Sequence, residues 1–359
     1  MYTLVLIICA VISLTYLVLH TPAFGRLPGG TRLKKISLLP NYEQGVLKNI
    51  SPTPMKPAGI SYLTIVRGML KRDPNRIPDR TLPHLEPEFN LNGGAYLTWF
   101  GHSSYLLQIG PLKVLVDPVF SGRTSPFSFI GNKNYKGTDF IRAEDFPEID
   151  ILLITHDHYD HMDYRTLLKF KDKTKHVLTS LGAGAHLERW GFAADRITEL
   201  AWGEEAVLSG LSFIATPARH FTGRGFKRNR TLWSGFVLKT PDYRLYLGGD
   251  SGFDTHFAAI GETYGPFDLA VLECGQYNEF WPYIHMFPEQ TVRAAIALRA
   301  KVLLPVHWGK FSLALHAWND PINRVTKSAE ELNMKITTPM LGETVHIGSF
   351  YPDKKWWLI

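Results

Sequence analysis

Hydrophobic and polar positions divide the chain into three textures. Residues 2–19 are almost uniformly apolar and none is charged. As a helix, such a run rises about 27 Å, close to the roughly 30 Å of a bilayer's hydrocarbon core. From residue 23 to 92 no periodicity persists. Pro, Gly and polar residues cluster at 27–30, 51–54 and 80–87, and one amphipathic stretch at 62–70 predicts a short helix. From Ala95 onward, short apolar runs separated by turn residues predict strands at 96–100, 104–109, 113–117, 151–155, 176–179, 211–216, 235–238, 244–248, 269–273 and 302–306. Helical spacing marks 164–170, 184–190, 288–300 and 322–332, with Pro288 and Glu289 suited to a first helical turn. Strands interspersed with helices predict an α/β fold of sheet layers covered by helices. The expected division is 1–22 as an apolar helix, 23–92 as an arm wrapping the body, and 93–350 as one domain.

Composition narrows this picture. With 45% hydrophobic and 20% charged residues, the chain is neither disordered nor a multi-span membrane protein. The net charge of +6 is uneven. Residues 1–72 hold nine basic side chains and one acid, Glu43, for a net of +8, which leaves −2 for the remainder. A nearly neutral body argues against a nucleic-acid partner. The basic residues follow the apolar run and none precedes it. The positive-inside rule therefore predicts a single-pass membrane anchor with the domain on the cytoplasmic face. Thr21-Pro-Ala23 keeps a cleaved signal as one alternative, and a buried core helix is another. Cys9 and Cys274 make no disulfide framework.

The candidate chemistry centres on Thr155-His156-Asp157-His158-Tyr159-Asp160-His161, which follows a buried apolar strand. Alternation lets His156 and His158 point the same way, while Asp160 and His161 open the next turn. Four nitrogen and oxygen donors within six residues suit a divalent ion such as zinc. His220, Asp250 and His307 each lie just after another apolar strand, so folding can bring them to the same sheet edge. Burying so many ionisable groups without a counter-ion is costly. Asp157 reads either as a partner that fixes an imidazole tautomer or as a helix cap.

The motif, its order and its strand-end placement resemble the metallo-β-lactamase superfamily. The resemblance implies a four-layer αββα sandwich and two zinc ions. His156, His158 and His220 would bind one ion, Asp160, His161 and His307 the second, and Asp250 would bridge them. Two such ions activate a shared water and clamp the oxygens of a transition state, with Asp160 also orienting that water as a catalytic residue. Further segments, Trp99-Phe-Gly-His102, Val116-Asp117-Pro118, Tyr283-Ile-His285-Met-Phe-Pro-Glu289 and Pro305-Val-His307-Trp-Gly-Lys-Phe311, look like the N-acyl-phosphatidylethanolamine-hydrolysing phospholipase D branch over most of 90–345. That likeness implies a phosphodiesterase acting on a phospholipid or a related phosphodiester, with His285 as an acid or phosphate contact. A lactonase of a soluble small molecule and a non-catalytic metal-bearing membrane protein are the competing readings. His102 is expected to be a supporting histidine, Asp117 either a turn residue or part of the pocket, and the loop 224–230 either a phosphate grip or a solvated basic loop.

Overall fold

The apolar run forms helix α1 (Tyr2–Leu19), which buries none of its side chains, in a computed structural model that describes residues 2–358. A helix apolar all round and left unburied fits either a membrane anchor or a signal sequence. The arm that follows contains α2 (Gly30–Ser37), a small hairpin of β1 (Tyr42–Glu43) and β2 (Val46–Leu47), and α3 (Tyr62–Leu70), the short helix expected from its spacing. Ile36 and Leu47 from the arm join Leu181 and Trp233 in a small core cluster. Arg26 pairs with Glu188 at 2.9 Å, Arg32 with Glu188 at 2.7 Å and Glu199 at 2.5 Å, and Lys35 with Glu204 at 2.7 Å. Three of the nine cations in residues 1–72 are therefore paired with carboxylates of the body, which lowers the charge that a simple count assigns to a membrane contact.

The body holds two sheets. The first comprises β3 (Ala95–Trp99), β4 (Tyr105–Ile109), β5 (Leu112–Val116), β6 (Ile149–Ile154), then, after α4 (Tyr164–Phe170), β7 (Thr174–Ser180), and, after α5 (Gly184–Arg189), β8 (Ile197–Leu200). The second comprises β9 (Glu205–Leu208), β10 (Leu211–Thr216), β11 (Gly235–Lys239), β12 (Arg244–Leu247), β13 (Leu269–Glu273), preceded by α6 (His256–Tyr264), and β14 (Leu303–Val306), preceded by α7 (Pro288–Ala297). After α8 (Asp320–Glu331), β15 (Thr344–His346) returns to the first sheet beside β3. The orders are β15-β3-β4-β5-β6-β7-β8 and β14-β13-β12-β11-β10-β9.

The layering follows from side-chain alternation along the strands. In β6, Ile151 and Leu153 enter the main core between the sheets, together with Phe213, Phe236, Val271 and Leu304 from the second sheet. Leu152 and Ile154 point the other way, into a second core closed by Leu167 and Phe170 of α4 and Leu187 of α5. Val292 of α7 and Ile322 and Val325 of α8 close the far side. This is the expected four-layer αββα sandwich. Trp356 and Trp357, near the end of the chain, also pack in the main core. The helix expected over 288–300 stops at Ala297, because Leu298 caps it and Arg299 takes a left-handed φ of 59°.

Within the first sheet β5, β6 and β7 run parallel, and within the second β12, β13 and β14 do. Their C-terminal ends deliver Asp117, His156, Asp250, Glu273 and His307 to the same cluster of side chains.

Candidate metal centre

Seven sequence-predicted donors converge. His156 Nε2 lies 2.9 Å from His158 Nδ1, and His220 Nε2 lies 3.2 Å from that same atom. Asp250 Oδ2 completes the group at 3.8 Å from His156 Nε2 and 3.7 Å from His220 Nε2. The second group forms around Asp160 Oδ2, with His307 Nε2 at 3.3 Å and His161 Nε2 at 3.6 Å. Asp250 Oδ2 also lies 3.2 Å from His161 Nε2 and 3.4 Å from His307 Nε2, so one carboxylate oxygen serves both groups. Tetrahedral bonds of about 2.0–2.1 Å place ligand atoms about 3.3 Å apart. The observed spacings scatter around that value. His161 Nε2 and Asp250 Oδ1 are buried without a hydrogen-bond partner, as atoms aimed at a cation should be. The donor set is nitrogen and oxygen only, the chemistry of a divalent metal such as zinc.

The surrounding bonds fix which imidazole nitrogen faces inward. His161 Nδ1 donates to Asp117 Oδ2 at 2.8 Å. Asp117 also accepts from Thr155 N at 2.8 Å and Thr155 Oγ1 at 2.6 Å, and that hydroxyl oxygen accepts from His156 Nδ1 at 3.0 Å. His220 Nδ1 donates to Ile284 O at 2.8 Å, and His307 Nδ1 to Glu273 Oε2 at 3.3 Å. Four rings thereby turn Nε2 toward the centre. Two glycines bring Asp250 in after β12. A Cβ on Gly249 would meet Ser234 O at 2.6 Å, and one on Gly248 would meet Val271 O at 2.7 Å. His102, Asp117 and His307 hold positive φ angles of 53°, 41° and 67°. A left-handed non-glycine residue costs on the order of 1–3 kcal/mol, and these three gather at the centre, held there by its packing and bonds.

Burial sets the charge states. It holds His156, His158 and His220 below the usual imidazole range, so they stand as neutral imidazoles. Burial also opposes protonation of His161 and His307, but Asp250 and Asp160 outweigh it and push His307 up to about 10. Asp160 and Asp250 are held well below the usual carboxylate range, because His161 and its neighbours overcome the cost of burying them. The carboxylates stay ionised, the first group presents neutral imidazoles, and the protons on His161 and His307 are the ones a cation would displace.

Five residues besides the seven donors matter here. His285 Nδ1 donates to Glu273 Oε2 at 2.8 Å and lies 4.0 Å from Asp250 Oδ2, which brings this predicted residue to the edge of both groups. Glu273, which sequence reasoning took only as a strand end, accepts from His285, His307 and, at 2.7 Å, Ser251 N. His102, expected to be supporting, places Nε2 3.0 Å from Asp160 Oδ2. Asp117 orients His161 rather than merely ending a strand. Asp157 is buried and caps no helix. It accepts from His186 Nε2 at 3.2 Å, Gly223 N at 2.8 Å and Thr231 Oγ1 at 2.9 Å, while Asp163 supplies the cap of α4.

Arg224 departs from both readings of its loop. It is buried and stacks on Tyr159, with its guanidinium 4.1 Å from the ring centre. NH1 donates to Asp157 O at 2.7 Å and Met162 O at 2.8 Å, the two ends of the segment carrying His158, Asp160 and His161. Lys227 and Arg228 of the same loop are exposed.

The family model for the beta-lactamase superfamily domain matches residues 113–308, more than half of the chain. The protein belongs to the metallo-β-lactamase superfamily. Among relatives of this superfamily member, an uncharacterized protein of Mycobacterium tuberculosis, Rv0906, is 38% identical over 89% of this chain and 87% of its own length. The N-acyl-phosphatidylethanolamine-hydrolyzing phospholipase D 1 of Caenorhabditis elegans is 32% identical over 75% of this chain and 81% of its own. Among solved structures, Igni18, a metallo hydrolase from the archaeon Ignicoccus hospitalis, superposes with a TM-score of 0.53 at 24% identity, covering 70% of this chain and 97% of that one. That likeness bears on the fold alone. Together, the family and the two donor groups support a metal-dependent hydrolase.

Proposed function

We propose that this metal-dependent hydrolase is a zinc phosphodiesterase of phospholipase D type, acting on N-acyl phospholipids or a related phosphodiester at a membrane. His156, His158, His220 and Asp250 would hold one zinc ion, and Asp160, His161, His307 and Asp250 the second. The observation that carries the reading is Asp250 Oδ2, shared between two donor groups in the way that a two-ion hydrolytic centre requires. The relative that hydrolyses N-acyl-phosphatidylethanolamine supports the substrate class. So do exposed apolar side chains near the centre. Phe226 is 82% and Phe129 72% exposed, Phe127 packs between Phe129 and Phe24, and Phe24 packs against Tyr159 of the metal loop. In this reading α1 is an uncleaved anchor and the domain lies on the cytoplasmic side.

When bound, the ions supply Lewis acidity, lowering the pKa of water and neutralising charge that develops on phosphoryl oxygens. The chain's own residues do the rest. Asp160 engages His102 and His307 through Oδ2, so Oδ1 is the atom that takes a proton from the attacking water. His285, with Nδ1 committed to Glu273, offers Nε2 as the donor to the departing alkoxide. The water oxygen forms the new bond to phosphorus, and the phosphorus–oxygen bond on the alcohol side breaks. Phosphatidic acid and an N-acyl ethanolamine leave.

The test uses the full zinc-loaded chain in vesicles containing an N-acyl phosphatidylethanolamine, with lactones assayed alongside. Release of phosphatidic acid, lost in Asp250→Ala, supports the reading. Turnover of lactones with no phosphodiester cleavage overturns it.

A further inference from the structure

The last turn of α1 opens onto a cavity of about 530 Å³ that no part of the hydrolytic centre uses. Its walls carry two chemistries. Leu19, Phe24 and Phe226 supply an apolar side, and Phe226 projects almost fully into solvent. Arg26, Arg189, Arg224 and Lys227 supply the other. Arg26 has a carboxylate partner in Glu188, but the guanidinium groups of exposed Arg189 and buried Arg224 are met by main-chain carbonyls: Arg189 by Gly25 O at 2.9 Å and His20 O at 2.5 Å, Arg224 by Ala23 O at 2.8 and 3.0 Å. Carbonyl oxygens satisfy N–H groups without cancelling their charge. Asp157 and Asp163 offset the charge of buried Arg224, so Arg189 and exposed Lys227 make one wall of the cavity positive, while the other is greasy.

Its height in the molecule matters. If α1 spans a bilayer, its 18 residues exhaust the hydrocarbon thickness at Leu19, so the cavity opens at the depth of the lipid phosphates. An anionic headgroup satisfies the cationic wall while its acyl chain lies along Leu19 and Phe226. A choline or ethanolamine headgroup brings a second cation into a wall already positive, and the field rejects it.

We propose that this cavity is a binding site for an anionic phospholipid, exemplified by phosphatidylglycerol, separate from the hydrolytic centre. The proposal rests on the reading of α1 as a membrane anchor and is independent of what the metal centre hydrolyses. The site has a structural reason to matter. Arg224 and His186, which line it, are the side chains that grip the metal loop at Asp157 and Met162.

The test places the full zinc-loaded chain in phosphatidylcholine vesicles doped with a phosphatidylglycerol that carries a photoreactive diazirine near the glycerol, and maps adducts by peptide mass spectrometry. Adducts are expected on peptides containing residues 19–27 and 224–227, competed by unlabelled phosphatidylglycerol but not by additional phosphatidylcholine. Lys227→Glu should reduce them at least fivefold, and Lys301→Glu, a charge reversal elsewhere on the surface, should not. Equal labelling in Lys227→Glu, or equal competition by phosphatidylcholine, overturns the proposal. Displacement by millimolar inorganic phosphate makes the cavity a small-anion site and overturns it as a lipid site. Co-flotation of the chain with the vesicles is measured in parallel. A chain that fails to float overturns both the anchor and this site, whereas a floating chain without these adducts overturns this site alone.

Discussion

Arg224 reaches Ala23, four residues beyond the apolar helix, with two hydrogen bonds to one carbonyl oxygen, from Nε at 3.0 Å and NH2 at 2.8 Å. The other edge of the same guanidinium holds Asp157 O and Met162 O. A second link runs parallel to it: Arg26 N donates to His186 Nδ1 at 3.0 Å, and His186 Nε2 donates to Asp157. The segment leaving α1 is thus a structural part of the loop that presents three of the seven donors.

Replacing Arg224 tests that connection. Lysine keeps the charge but has no planar fork, so it cannot hold Ala23 and both ends of the loop together. Arg224→Lys should weaken metal affinity by roughly 10–100-fold, the usual effect of losing a group that orients ligands. Amide exchange should rise within 156–163. Chelator competition measures the first and hydrogen exchange the second. A variant with unchanged affinity and unchanged exchange removes Arg224 from any positioning role.

Asp117 acts on the centre through His161 and Thr155. Asp117→Asn exchanges one acceptor oxygen for an N–H donor, which sets His161 Nδ1–H against another donor or frees the ring to change tautomer. The expected result is a loss of metal affinity of roughly 10–100-fold with little change in overall fold. Titration of Co(II), read by its visible spectrum, reports on the ligand field directly. A wild-type spectrum and affinity in the variant rule out this account of Asp117.

The donor positions were legible in the sequence because each follows an apolar run that can only be a buried strand, and parallel strands bring their ends together. The layering was legible for the same reason: from Ile151 to Ile154 β6 is apolar on both faces, as a strand covered on both sides must be. Glu273 was not legible. A single acid ending an apolar strand reads as an ordinary strand end, and its partners His285 and His307 lie 12 and 34 residues further on. Strands β8, β9 and β15 also escaped notice. They have four, four and three residues at sheet edges, too few for alternation to register. Arg224 stood in a run of exposed-looking basic residues, and its burial depends on Ala23, 201 positions away.

His285 can be tested by the leaving group. A residue that protonates the departing alkoxide matters greatly when that alkoxide is basic and hardly at all when it is a nitrophenolate. For His285→Ala, kcat on an N-acyl phosphatidylethanolamine should fall by about 10²–10⁴. Activity on bis(4-nitrophenyl) phosphate should fall much less. Equal losses on both substrates would instead assign His285 to phosphate binding. Asp160→Asn should lower both together, because its role precedes the choice of leaving group.

Lys310 gives a pH-dependent prediction independent of the metals. Its ammonium is buried, donates to Phe100 O at 3.2 Å, and lies 4.7 Å from the centre of the Phe120 ring. Burial outweighs the help of Asp163 and Asp139 and lowers its pKa from 10.5 to about 7. Below pH 7 both the folded and the unfolded chain hold this proton, and it contributes no slope. Between about 7 and 10.5 the unfolded chain holds it and the folded chain does not, so folding stability gained through this residue rises with pH, by at most about 1.4 kcal/mol per unit. Lys310→Met removes the group and with it the slope. The stability of wild type relative to Lys310→Met should therefore be level below pH 7 and climb between pH 7 and 10, measured by urea denaturation of the two proteins in matched buffers. A difference that stays level across that range, or falls, would show that Lys310 keeps its proton in the folded protein.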